Sequence, residues 1–151
     1  MNPAPFCLIG IVNVTPDSFS DGGKYIDPRN AVAHGLRLLD EGAGMLDLGA
    51  ESTRPFAEPV PEGEEIARLM PVVARLREQR PDAVLSVDTL KAGTARAALE
   101  GGADIINDVS ACVADPALLD VLAEYKPGYV LMHSQGSPRE MQVNPRYGNV
   151  V

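Results

Sequence analysis

The chain has 151 residues, of which 45% are hydrophobic and 23% charged, and its 21 acidic against 13 basic residues give a net charge of −8. This composition suffices for one globular domain with an ordinary core, and it excludes a disordered chain, a collagen and a coiled coil. The acidic excess also disfavours nucleic acid as a partner, because nucleic-acid-binding proteins cluster Lys and Arg.

The first part of the chain predicts neither a membrane span nor a secretion signal. Its apolar stretch Phe6–Val12 is much shorter than the ~20 residues that cross a bilayer, and no basic side chain precedes it. We therefore expect a cytoplasmic protein with no membrane partner. Cys7 and Cys112 each lie in an apolar stretch, which predicts two buried thiols in a reducing compartment and no disulfide.

Apolar runs of strand length recur about every 30 residues, which is the length of one βα unit. They are Phe6–Val12, Met45–Leu48, Val84–Val87, Asp104–Ile106 and Tyr129–Met132. Stretches with helical periodicity separate them, so the sequence predicts an α/β protein with parallel strands. No composition shift or low-complexity segment divides the chain, so residues 1–151 are expected to form one domain.

Helix starts and stops can be predicted between these strands. One helix is expected from Asp27-Pro28 to Gly42, one over Glu62–Arg80, one over Lys91–Glu100, and one from Asp115-Pro116 to Pro127-Gly128. Pro71 lies inside the second helix, where it removes one backbone hydrogen bond and should kink the helix.

Two architectures fit this order of elements: an open doubly wound sheet, and the first five units of a (β/α)8 barrel. Periodicity alone does not separate them. The turn after the first strand has neither a G-x-G-x-x-G motif nor a phosphate loop, so nucleotide binding is disfavoured.

Polar residues follow every predicted strand. They are Asn13, Glu51–Arg54, Asp88-Thr89, Asn107-Asp108 and His133–Gln135. The carboxyl ends of parallel strands share one edge, where α/β proteins bind their ligands. Any one of these residues could instead cap a helix, and for Asp88 and Thr89 a cap is as good an explanation as a ligand contact. Together they exceed what caps require, so we predict a binding site.

The residue types suggest roles at this edge. The amide oxygen of Asn13 suits Mg²⁺ when phosphate oxygens supply the charge, although it could also bond its own loop. Arg54 offers a planar donor pair for phosphate, although an isolated arginine on such a loop is usually just solvated. Asp88 and Asn107 could read the edge of an amino-pyrimidine ring, or be satisfied polar groups of the core. His133 is best explained as a packed histidine, and no catalytic base is assigned.

The longer motifs around these residues resemble those of dihydropteroate synthases. The matching segments are Gly10–Gly23, Gly49–Pro55, Ser86–Thr89, Ile106–Val109 and Met132–Pro138 with Met141-Gln142. The first two are long and specific, and the resemblance covers nearly the whole chain. It implies that residues 1–151 are a pterin-binding domain, the N-terminal part of a TIM (β/α)8 barrel that stops after about five strands.

The resemblance also implies an activity. Dihydropteroate synthases are transferases of folate biosynthesis and a target family of sulfonamides. They condense 6-hydroxymethyl-7,8-dihydropterin diphosphate with p-aminobenzoate, and release diphosphate through a pterin-methyl cation. Mg²⁺ as cofactor, these two small-molecule substrates and a homodimer are what the resemblance implies for this protein.

Site residues carry over by position in the motifs. Asn13 matches the Mg²⁺ ligand, and Asp21, Thr53 and Arg54 match residues near the reacting amine and the leaving group. Asp88 and Asn107 match the pair that binds the pterin, with apolar walls and p-aminobenzoate contacts provided by Val109, Met132, Phe19, Pro55 and Thr53.

Some positions depart from the family pattern: Ala50 and Phe56 replace usual glycines, and Ser134 replaces a usual Met. Ala50 would be strained if its backbone needed a positive φ. The sequence stops where the helix after the fifth strand should begin, so we expect little synthase activity from the isolated chain. The alternatives are a pterin-binding methyltransferase-type barrel, which the segment from Thr15 to Gly23 argues against, and a non-catalytic binding or assembly module.

Overall fold

The structure is a computed structural model that describes residues 6–15, 27–51, 59–133 and 146–149. In these ranges strands and helices alternate as β1 (Ile9–Asn13), α1 (Pro28–Asp40), β2 (Met45–Gly49), α2 (Glu62–Gln79), β3 (Val84–Asp88), α3 (Ala92–Glu100), β4 (Ile105–Asp108), α4 (Leu118–Tyr125) and β5 (Gly128–Leu131). The predicted α/β order is confirmed, and the element bounds move by only a few residues.

The strands form one parallel sheet whose spatial order follows the chain, β1-β2-β3-β4-β5. A doubly wound sheet reverses its strand order at a switch point, and this sheet has no reversal. Each helix packs beside the next, α1 on α2, α2 on α3 and α3 on α4. The arrangement is that of consecutive units of a (β/α)8 barrel, so the open-sheet alternative is wrong.

Alternation along the strands divides the sheet into two faces. The helix-covered face holds the core, and its strand residues are completely buried: Val12, Leu46, Leu48, Leu85, Val87 and Ile106. The opposite face, which would be the inside of a barrel, carries Ile11, Asp47, Ser86 and Asn107. Because the register aligns residues of neighbouring strands that point to the same face, polar groups on this second face lie side by side.

Local signals explain the helices. Asp27 caps α1 by accepting a hydrogen bond from the backbone N–H of Arg29, with Pro28 at the first helical position, as predicted. α2 is one continuous helix although it contains Pro71, which is exposed. None of the helices in these ranges is long and apolar enough to cross a membrane.

One prediction about burial needs correction. Cys112 is buried as expected, but Cys7 is exposed, because β1 begins only at Ile9 and the apolar run before it lies outside the sheet. In α4 the side chains of Leu118 and Val121 are buried, while Leu119 is exposed.

Arg77 in α2 joins the amino ends of two strands. Its guanidinium donates hydrogen bonds to the carbonyl oxygens of Gly102 at 2.6 Å, Pro81 at 2.7 Å and Ala83 at 2.9 Å. It also pairs at 2.8 Å with Asp104, whose same oxygen accepts the backbone N–H of Leu85. These carbonyl groups belong to the turns that precede β3 and β4, so the Arg77 side chain holds both turns in place.

We predict that Arg77→Met lowers the free energy of unfolding by about 2–3 kcal/mol, because several carbonyl groups lose a charged donor. Urea denaturation measures the change. Arg80→Met is the matched control, since Arg80 binds only the exposed carboxylates of Asp40 and Asp82 and should cost under about 1 kcal/mol. Equal losses in the two variants would contradict a special role for Arg77.

Candidate functional site

The carboxyl ends of the strands form a row of residues across one face of the sheet. Register places Asn13 beside Gly49, Gly49 beside Asp88, and Asp88 beside Asn107. Val130 of β5 continues the row after Asn107. Parallel pairing keeps these residues on the same face, so three of the predicted site residues, Asn13, Asp88 and Asn107, lie on one line.

Asp47, two residues before Gly49, organises this face. Its Oδ1 accepts a hydrogen bond from the Ser86 hydroxyl at 2.5 Å, and its Oδ2 accepts one from the Asn107 amide at 3.0 Å. The side chain is buried, with 9% of the residue exposed. Asp47 therefore links β2 to β3 and β4, and orients Asn107 with its amide oxygen left as an acceptor for a ligand.

Sequence reasoning did not assign Asp47 to the site, because it lies within an apolar strand and not after one. The alternation of side chains along a strand could have identified it. Asp47 lies two residues before Gly49 and therefore on the same face of the sheet, away from the helices, where a buried charged residue needs a partner.

The carboxyl group of Asp88 lies half-buried among other acids. Burial is the largest cause that raises its pKa, and the charges of four neighbouring carboxylates add to it, so that the pKa of Asp88 rises from 3.8 to about 7; these neighbours are Asp47, Glu65, Asp108 and Glu51. The electrostatic potential around the row is thus negative. Such a surface favours a ligand that presents N–H donors or positive charge.

Gly49 leaves space between Asn13 and Asp88. A Cβ built on Gly49 would lie 3.7 Å from Cβ of Asp88 and 3.8 Å from its Oδ2, which is ordinary contact distance. Without that Cβ the row is open between the β1 and β3 side chains, and a flat group can approach the Asp88 carboxyl from that side.

The segment after β4 is held by Asp108, which points to the helix side of the sheet. Its Oδ1 accepts hydrogen bonds from the backbone N–H and the hydroxyl of Ser110, and its Oδ2 accepts from the Tyr129 hydroxyl at 2.9 Å and from the Cys112 N–H. Although burial opposes it, these hydrogen bonds lower the pKa of Asp108. Ala111 adopts a positive φ inside this turn.

Val109 and Met132, which are predicted as apolar walls, come directly after β4 and β5. Val109 follows Asp108 and is half-buried, and Met132 is half-buried with its N–H 3.4 Å from the carbonyl of Asp108. His133 is exposed, with its ring centroid 5.8 Å from that of Tyr147 in an edge-on contact. The imidazole ring of His133 therefore contacts a tyrosine ring, as its interpretation as a packed histidine predicts.

Several predicted residues lie outside the described part of the chain: Phe19, Asp21, Thr53, Arg54, Pro55, Phe56 and Ser134. Ala50 is described, fully buried and not among the residues with positive φ, so its Cβ causes no backbone strain.

The described residues hold no group of three or more His, Cys, Asp or Glu placed to bind a metal ion. Asn13 is exposed at the end of β1. One neutral oxygen of this kind fits Mg²⁺, which keeps several waters and takes phosphate oxygens as further ligands.

The comparisons with known proteins agree with this geometry. The model of the family described as pterin binding enzyme matches residues 9–151. A dihydropteroate synthase of Mycobacterium leprae is 47% identical over 152 residues, which cover 100% of this chain and 53% of that protein. The chain spans about half the length of the curated relatives it matches.

Solved structures give the same result. Xanthomonas albilineans dihydropteroate synthase with 4-aminobenzoic acid is 52% identical, with a TM-score of 0.80, over 87% of this chain and 48% of that chain. Yersinia pestis dihydropteroate synthase in a sulfonamide drug complex is 45% identical, with a TM-score of 0.84, over 95% of this chain and 51% of that chain. Since the family model covers nearly every residue and the sheet has the matching barrel order, this chain belongs to the pterin-binding enzyme family.

Proposed function

We propose that the protein acts as a dihydropteroate synthase, a transferase that joins 6-hydroxymethyl-7,8-dihydropterin diphosphate to p-aminobenzoate and releases diphosphate. The observation that carries this proposal is that Asp88 and Asn107 lie side by side in the row, with Asp47 on the same face and bonded to the Asn107 amide. Similarity to synthases solved with 4-aminobenzoic acid and with a sulfonamide supports the choice of second substrate.

The row is suited to the amino-pyrimidine edge of a pterin. That edge carries N–H donors beside a ring nitrogen and a carbonyl, and the row offers the Asp88 carboxyl and the amide oxygen of Asn107 as acceptors. Asp47 fixes the Asn107 amide, so less rotational freedom is lost when a ligand binds.

The negative charge of the carboxylates near the row also favours this reaction. The bond from the pterin methylene to oxygen breaks, and diphosphate leaves with the electron pair. The amine of p-aminobenzoate then donates its lone pair to the methylene cation and releases a proton. Carboxylates around the pterin stabilise the positive charge as it develops, and no strong base is needed.

Asn13 would hold Mg²⁺ near the diphosphate. When bound, the ion would neutralise charge on the leaving group. Arg54 is proposed as a further donor to the same group, and Asp21, Thr53, Phe19 and Pro55 as contacts of p-aminobenzoate and of the reacting amine. Val109 and Met132 would wall the pterin ring.

We further propose that the protein works in the cytoplasm as a homodimer, as the family resemblance implies. Gel filtration with light scattering measures the oligomeric state, and a monomer at micromolar concentration would contradict the dimer.

The central test is pterin binding by the full-length protein, measured by calorimetry with 6-hydroxymethyl-7,8-dihydropterin. We expect Asp88→Asn to weaken binding by about 10- to 100-fold, because a charged acceptor is lost from the ring edge. Asp82→Asn is the matched control, since Asp82 is exposed and precedes the other end of the same strand. A wild-type protein that does not bind the pterin but self-associates stably would support an assembly module instead.

The pKa of Asp88 predicts how binding depends on pH. The ring donors bind the carboxylate, while below about pH 7 the free protein carries the neutral acid and must lose a proton to bind. Affinity should therefore rise as the pH is raised from 5.5 to 8, by up to about tenfold per unit below pH 7, and then level off. Asp88→Asn should flatten this profile. An unchanged profile in the variant would assign the titration to another group.

Asn13 can be tested through Mg²⁺. We expect Asn13→Ala to reduce the affinity for the pterin diphosphate in Mg²⁺ to its value without the ion, and to leave the affinity for the pterin alcohol unchanged. Asn30→Ala, an exposed position in α1, is the control. If Asn13→Ala keeps the full effect of Mg²⁺ on binding, the proposed ligand is wrong.

A further inference from the structure

A buried ion cluster joins three elements beside the row. The Lys91 ammonium forms salt bridges with Glu51 and, at 2.7 Å, with Glu65. Glu51 comes two residues after the end of β2, Lys91 precedes α3 as its N-cap residue, and Glu65 lies in the first turns of α2. One ammonium thus ties the end of β2 to two different helices.

The cluster is withdrawn from solvent. The Glu65 side chain is 0% exposed, and those of Glu51 and Lys91 are 20% and 23% exposed. The Thr94 hydroxyl donates a further hydrogen bond to Oε2 of Glu65 at 3.1 Å. Burial alone would lower the pKa of Lys91, but its hydrogen bonds to the two glutamates outweigh burial and raise it. The ammonium therefore stays charged.

Stability alone is a weak explanation for this cluster. Replacing buried ion pairs by apolar residues of similar volume is often neutral or stabilising. Here two carboxylates share one ammonium, and Oε1 of Glu65 is buried with no hydrogen-bond partner among the described residues. A buried unsatisfied oxygen lowers the stability of the folded state. An arrangement selected only for stability would not keep both the charge imbalance and this oxygen.

What the cluster fixes is the end of β2. Glu51 is held through its side chain, and the carbonyl oxygen of Ala50 accepts a hydrogen bond from the Arg68 guanidinium of α2 at 3.0 Å. Two consecutive residues are thus anchored from the helix layer. In the sequence only Ser52 separates Glu51 from Thr53 and Arg54, which are the residues proposed to contact p-aminobenzoate and the leaving group.

We propose that Glu51, Lys91 and Glu65 are positioning residues of the synthase reaction, which fix the point from which Thr53 and Arg54 extend. The inference rests on the proposed function. They are not proposed to contact the pterin, which is assigned to Asp88 and Asn107, and the Asn107 amide is held by Asp47 and not by the ion cluster.

The decisive variant is Glu51→Gln in the full-length protein. It removes the ion pair of Glu51 but leaves Glu65, Lys91 and Thr94 bonded, so the fold should persist. We expect kcat to fall and KM for p-aminobenzoate to rise, each by about tenfold, while the dissociation constant of the pterin stays within twofold of wild type. Glu51→Asp, which keeps the charge, should recover part of kcat.

Glu124→Gln is the matched control, since Glu124 forms an exposed ion pair with Arg96 at 2.8 Å. This variant should leave kcat, KM for p-aminobenzoate and the dissociation constant of the pterin unchanged. Unchanged kcat in Glu51→Gln would overturn the inference. So would a parallel loss of kcat, pterin affinity and thermal stability, which is the signature of a merely structural role. A wild-type protein that binds no pterin would instead refute the proposed function, and the inference with it.

Discussion

The hydrogen bonds of Asp47 are the interaction on which the site depends. A parallel sheet brings the ends of its strands to one edge, but it does not orient the side chains there. Asp47 does so by accepting one hydrogen bond from Ser86 on β3 and one from Asn107 on β4. A buried carboxylate needs such partners, and here satisfying it also fixes the amide that faces the ligand.

The same region holds more negative than positive charge. The charges of Asp47, Glu51 and Glu65 lie close enough to Asp88 to raise its pKa, and the Lys91 ammonium pairs with two of these carboxylates. Such crowding costs folding free energy, and it is the common sign of a site built for a charged ligand or transition state. A reaction that passes through a cationic pterin gives this charge a chemical use, and the neutral form of Asp88 near pH 7 gives it a measurable consequence.

Local patterns were enough to predict the elements. Asp27-Pro28 marked the start of α1, Gly101-Gly102 followed α3, and the apolar runs marked all five strands within a few residues. The strand order could not be predicted from periodicity, because it depends on which strands pair across long distances. Cys7 was misjudged for a related reason, since an apolar stretch does not show where its strand begins.

The arrangement of the candidate site was predicted in part. Asn13, Asp88 and Asn107 were singled out because each lies at the end of an apolar run, and register places them in one row. Asp47 was missed because it lies inside a run, and the bridge from Glu51 to Lys91 and Glu65 was missed because its members are far apart in sequence. Contacts of this kind depend on how helices dock on the sheet, which no local pattern encodes.

A crystal structure of the full-length protein with 6-hydroxymethyl-7,8-dihydropterin would show where the pterin binds. We expect its amino-pyrimidine edge within hydrogen-bonding distance of the Asp88 carboxyl and the Asn107 amide oxygen, with Asp47 still bonded to Ser86. A pterin bound on the helix side of the sheet, or at the edge with neither residue in contact, would contradict this expectation.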